Sequence, residues 1–198
     1  MHNQKVVIFI GPQGSGKGTQ AKLLKQFLLE HTPDTEVFAV ETGQHFRQIM
    51  SESGYTSEKI RESINRGDLQ PDWLPSWLFV NSFVADYSPG MHVIIDGIPR
   101  TVEQAKRVDE VFDYYDISEV EVVLLEVDEE LSISRLLSRG RADDNRDAIK
   151  HRLEQYQSET KPVIDYFNRH QRYDVHTIDG GEHIEKVTED IFKAIKLK

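Results

Sequence analysis

The sequence predicts an α/β protein in three layers, a parallel sheet of about five strands with helices on both faces. Three observations predict it. Short runs that are apolar at nearly every position recur along the chain, as strands buried on both faces require. Segments with helical periodicity separate them. A glycine-rich loop stands directly between the first such run and the first helical segment.

The first run is Val6 to Ile10. Behind the glycine-rich loop, Thr19 to His31 repeats Ala21, Leu24, Phe27 and Leu28 at helical spacing. Val37 to Val40 is the second strand. Thr42 to Gln70 is polar and helical, carries Gly54 and Gly67, and does not fit the alternation, so it reads as a small insert. Trp73 and Trp77, four residues apart, are expected to pack a helix against the sheet. His92 to Ile95 is the third strand, Val102 to Phe112 a helix, and Val120 to Val127 the fourth strand. Gly140 to Arg146 is a charged loop. Ala148 to Asn168 reads as one helix through Leu153, Tyr156, Val163 and Phe167, and Tyr173 to Ile178 is the last strand. The expected organisation is a single domain over 1–198, with a core of 1–41, 71–138 and 148–198, the insert at 42–70 and a short lid at 139–147.

Composition narrows the function. With 198 residues, 38% of them hydrophobic and 29% charged, the chain has the make-up of a globular protein. A net charge of −10 argues against general affinity for nucleic acid, whose backbone demands a basic surface. A phosphate-rich ligand must then be held by a local group of cations on an acidic background. The chain contains no Cys, which excludes disulfides and any Cys-based zinc site and fits a reducing compartment. Met1 to Lys5 lacks a basic leader region, and no apolar run approaches the roughly 20 residues of a membrane span. A cytoplasmic protein is expected.

The loop reads Gly11-Pro12-Gln13-Gly14-Ser15-Gly16-Lys17-Gly18-Thr19. Glycines let successive backbone N–H groups turn toward an anion, the helix N-terminus adds a positive dipole end, and a Lys at this spacing reaches the outer phosphates. Gly14, Ser15, Gly16, Lys17, Gly18 and Thr19 are therefore candidate ATP-binding residues. Gly18 follows Lys17 where many P-loop ATPases and GTPases place the Ser or Thr that binds Mg²⁺ directly; the hydroxyl comes one place later, at Thr19. That argues against a switch GTPase or a motor ATPase.

Gly11 to Gln20 resembles the P-loop of the adenylate kinase family of nucleoside monophosphate kinases. Four later segments resemble the same family in order: Thr42-Gly43 with Arg47, Gly67 to Asp72, Asp96-Gly97-Ile98-Pro99-Arg100 with Gln104, and Arg139-Gly140-Arg141 through Asn145 with Arg152. The resemblance implies a P-loop NTPase fold and transfer of the γ-phosphoryl group of ATP to AMP. It implies that Arg47 and Arg100 grip the AMP phosphate as bidentate donors, and that Thr42, Gly97 and Gln104 line the base pocket. Asp96 would hold Mg²⁺ through its waters. Lys17, Arg100, Arg141 and Arg152 would be catalytic, with the two lid arginines touching both substrates and Arg139 stacking on the adenine of ATP. The lid is short and has no Cys or His cluster, so no structural zinc is expected. A monomer acting on small molecules, without nucleic-acid or membrane partners, is the implied assembly. Departures are Gln44 and Glu41, where the family usually has Asp and Ser, Gln13 for a Pro, and Ile98 for a Phe. The rival readings are a UMP or CMP kinase of the same fold, against which Gln104 speaks, and a P-loop protein that binds nucleotide without catalysis.

Overall fold

The computed structural model describes residues 4–141 and 143–197. Five strands form one sheet: β1 (Val6–Ile10), β2 (Val37–Glu41), β3 (His92–Asp96), β4 (Val120–Glu126) and β5 (Tyr173–Asp179). All pairings are parallel, and the spatial order is β2-β3-β1-β4-β5. Around the sheet run α1 (Lys17–His31), α2 (Thr42–Ser51), α3 (Tyr55–Arg66), α4 (Trp73–Asp86), α5 (Val102–Tyr114), α6 (Glu129–Arg139), α7 (Arg146–Gln155), α8 (Lys161–Asn168) and α9 (Ile184–Ala194).

The order explains where a ligand fits. β1 is central and buried along its whole length. The chain leaves β1 toward β2 on one side and later returns to β4 on the other, so the connections diverge above the carboxyl ends of β1, β3 and β4. In open α/β sheets that divergence leaves a crevice for ligands.

Each face of the sheet carries its own core. On one, Phe79 and Phe83 of α4 meet Phe112 of α5, Phe167 of α8 and Phe38 of β2. On the other, Leu24 and Leu28 of α1 pack with Val187 and Ile191 of α9. The edge strands β2 and β5 are less buried than the three between them, because only part of their surface is covered.

Two expectations give way. Trp73 and Trp77 do not face the sheet; both are exposed, and α4 presents Leu74, Leu78, Phe79 and Phe83 inward instead. Spacing of four residues places two side chains on one face of a helix but does not say which face is buried. The helix expected over 148–168 is broken into α7, a π-helical turn at Tyr156–Thr160, and α8. Pro162, at the start of α8, has no N–H to continue the α-helical ladder, and the register shifts there. The turn aims Thr160, whose hydroxyl donates to the Arg100 carbonyl at 2.9 Å.

The segment 42–70 folds as α2 and α3, tied to α4 by Phe46, Ile60, Leu74 and Leu78. Gly67 caps α3 at a φ of 86°, where a side chain would be strained. Past α6, the chain turns at Gly140, and α7 starts at the Asn145 cap, whose side chain accepts from Ala148 N at 2.9 Å. Among the described residues, no helix is long and apolar enough to cross a membrane.

Candidate active site

The loop after β1 wraps the start of α1. Gly14 and Gly16 both have positive φ, and Gly16 directly precedes the helix. The backbone N–H groups of Gly14, Gly16, Lys17 and Gly18 have no backbone partner among the described residues, and all four residues line the crevice. The Lys17 ammonium is parked on the loop itself, donating to the Gly11 and Pro12 carbonyls at 2.7 Å each. Burial pulls its pKa from 10.5 down to about 8; Asp96 opposes that pull, while Arg100 and Arg139 add to it. A cation held this way can turn its N–H donors to the oxygens of a polyanion.

At the end of β3, Asp96 reaches over the loop helix; a Cβ on Gly18 would come within 3.4 Å of its Oδ2. Its carboxylate has no hydrogen bond or ion pair among the described residues. Gly97 follows with φ of 93°, and a Cβ there would lie 2.4 Å from the Thr42 hydroxyl. This close approach locks the start of α2 to the strand end and leaves Thr42 buried behind Gly97. Arg100 donates from Nε to the Gly97 carbonyl at 3.0 Å and has no carboxylate partner. Its pKa is lowered, mainly by burial, with Arg152 contributing against Asp96.

Gln104 is fully buried on α5. Its Oε1 accepts from Arg100 N at 2.8 Å, and its Nε2 donates to Asp72 at 2.9 Å. Arg47, on α2, forms no hydrogen bond or ion pair among the described residues. The guanidinium of Arg141 is likewise unpaired, and its pKa is lowered by burial and by Arg139 and Arg47, against Asp143 and Asp144.

Arg139 and Arg152 are held. Arg139 makes two bonds to Asp144, at 2.9 and 2.8 Å. Arg152 bonds Asp144 at 3.0 Å and Asp143 at 3.0 Å. Burial pushes the Asp144 carboxyl up, but its bonds to Arg139 and Arg152 prevail and hold it below the usual range.

One cavity of about 740 Å³ joins these parts. Lys17, Arg47, Asp96, Arg100, Gln104 and Arg141 all line it. Phe46, Met50 and Ile64 give its insert end an apolar wall of a kind that suits a flat base. A model of the family described as "Adenylate kinase" matches residues 9–172. The chain belongs to the adenylate kinase family. It is 38% identical over 186 residues to "Adenylate kinase 1" of Nostoc sp., covering 93% of this chain and 95% of that protein. "Adenylate kinase" of Mycolicibacterium vanbaalenii is 34% identical over 189 residues, covering 96% and 98%. "Adenylate kinase" of Leptospira biflexa is 34% identical over 196 residues, covering 96% and 100%.

The site of this adenylate kinase family member also contains residues that sequence reasoning passed over. Arg135 of α6 reaches across the opposite end of the cavity, donating to the Gly180 carbonyl at 2.7 Å and reaching the Gly14 carbonyl at 3.5 Å. It is the guanidinium beside the outer wall of the loop, whereas Arg139 lies close enough to Lys17 to bear on its charge. Asp72, which pairs with Gln104 and Thr101, was also passed over. Arg135 sits one helical turn before Arg139, a spacing that could have pointed to it.

Proposed function

We propose that this chain transfers the γ-phosphoryl group of ATP to a phosphate oxygen of AMP, giving two ADP. The observation that carries the proposal is the set of cations without carboxylate partners around one cavity. Lys17, Arg47, Arg100 and Arg141 converge there in a chain of net charge −10. An acidic protein leaves four cations unpaired at one place only where a ligand supplies the anions.

The loop N–H groups and Lys17 hold the outer phosphates of ATP. Arg47 and Arg100 grip the acceptor phosphate from the other side, and Gln104 faces the base. The acceptor oxygen is already anionic, so no protein base is needed, and an in-line transfer forms the new O–P bond as the β–γ bridging bond breaks. Arg141 and Arg152 spread the charge of the transferring group. Arg139 belongs to the phosphate end in this reading, and Arg135 is the better placed of the two to lie against the adenine of ATP. The unpaired Asp96 carboxylate, beside Lys17, and the Thr19 hydroxyl fit the Mg²⁺ that accompanies ATP. That ion would draw charge from the phosphates.

The test is a coupled assay of ADP formation from ATP with AMP, UMP, CMP and GMP offered in turn. AMP should give the highest kcat/KM. Equal turnover with UMP would reject the reading of Gln104, and no turnover with any acceptor would reject catalysis.

A further inference from the structure

Two departures from the family pattern fall at the site. The family usually has Ser at 41 and Asp at 44, whereas this chain has Glu41 and Gln44. A carboxylate has thus moved from the first turn of α2 to the end of β2, and both positions line the cavity.

The new place is beside Asp96. Glu41 and Asp96 are partners in register at the carboxyl ends of β2 and β3, with Cα atoms about 4.8 Å apart, the spacing of neighbouring strands. Side chains alternate between the two faces along a strand. Val37 and Ala39 of β2 and Ile94 of β3 pack in the core that α1 covers. Glu41 and Asp96 stand an even number of residues from them, so both point to the face of α1. The start of that helix is close, since a Cβ on Gly18 would lie 3.4 Å from Asp96 Oδ2.

Like Asp96, Glu41 has no hydrogen bond or ion pair among the described residues. It precedes α2 without using its side chain as a cap. Lys22, one turn past Gly18 on α1, also lines the cavity but pairs with neither carboxylate. Two half-buried carboxylates side by side repel each other, and the phosphates of ATP would add to that repulsion. A hard dication that takes oxygen ligands and keeps several of its waters relieves both.

We propose that Glu41 is a second carboxylate for the Mg²⁺ that accompanies ATP, acting with Asp96 on the waters of the ion. The proposal rests on the ATP reading above and deepens it. Asp96 alone offsets half the charge of the ion, and the pair offsets all of it. Nucleotide binding then depends strongly on the metal, because without it the same pair opposes the phosphates.

The test reads binding rather than turnover. Isothermal titration calorimetry would give the Kd of AMP-PNP, the β,γ-imido analogue of ATP, in excess Mg²⁺ and in EDTA. Glu41→Gln should bind AMP-PNP more tightly than wild type in EDTA and less tightly in Mg²⁺. The ratio of the EDTA value to the Mg²⁺ value should fall about tenfold or more, the usual effect of removing a group that holds the outer ligands of a metal. A Glu41 that only balances Lys22, or only supports the start of α2, would move both Kd values in the same direction, and that result overturns the proposal. Adding Gln44→Asp to Glu41→Gln returns a carboxylate to the same cavity and should recover most of the ratio; no recovery rejects the relocation. A wild-type protein that binds AMP-PNP under neither condition would strike the nucleotide reading itself, and the inference with it.

Discussion

Replacing Lys17 with Met should stabilise the empty protein while abolishing turnover. Lys17 is half-buried, its ammonium packed on the loop carbonyls, and its pKa falls from 10.5 to about 8. A depression of that size corresponds to about 3 kcal/mol against the charged form. The folded state gives up this proton more readily than the unfolded chain. The penalty is therefore fully present below pH 8, shrinks as pH rises from about 8 to 10.5, and is gone above that. The methionine side chain would carry no charge, but the Gly11 and Pro12 carbonyls would lose their donor and turn to cavity water. The net gain should be about 1–3 kcal/mol, or roughly 3–9 °C in melting temperature for a chain of this size. Differential scanning fluorimetry of both proteins without nucleotide, from pH 6 to 10, makes the comparison. The gap should narrow above pH 8. ATP should raise the melting point of the wild type only, and its KM for ATP should climb above pH 8 as Lys17 loses its proton. A Lys17→Met protein that melts lower than wild type at pH 7 would refute the argument that Lys17 is held at a cost for a ligand.

Arg141→Ala should lower kcat at least a hundredfold with a smaller change in the KM for ATP, the pattern of a group that acts mainly on the transition state; steady-state kinetics with saturating AMP decides it. Arg135→Ala should raise the KM for ATP more than it lowers kcat, and the reverse result would move the adenine contact back to Arg139. Asp144→Asn leaves Arg139 and Arg152 facing each other without their shared carboxylate, whose side chain has no exposed surface. That change should cost roughly 2–3 kcal/mol, read by urea unfolding. Because the Asp144 pKa is held below its usual value, its contribution is complete above about pH 4 and fades only as pH falls below that. Gly97→Ala forces a Cβ to within 2.4 Å of the Thr42 hydroxyl at a φ of 93°. It should lower the melting temperature by several degrees and raise the KM for AMP, since α2 must shift.

The three inner strands were legible in the sequence because strands buried on both faces must be apolar at nearly every residue and few other segments are, whereas β5, exposed at Asp174, Thr177 and Asp179, carries that pattern only in part. The phosphate loop was legible for a related reason. Backbone donors can turn toward an anion only where glycines permit, so its residues must be contiguous. Charge bookkeeping also pointed to local cations on an acidic chain. Which cations are free was decided by tertiary structure alone. Arg139 and Arg141 stand two residues apart, yet only Arg139 is clamped by Asp144, since partners depend on how the chain turns at Gly140. Gln104 was visible as a candidate base reader, but its partner Asp72 lies 32 residues away and meets it only because α4 packs on α5. The tryptophans of α4 show the same limit from the other side. Their spacing fixed a shared face, and only the packing of Phe79 and Phe83 into the core turned that face outward. Local pattern records what each segment needs from its own neighbours in sequence; which distant group meets that need is set by the fold.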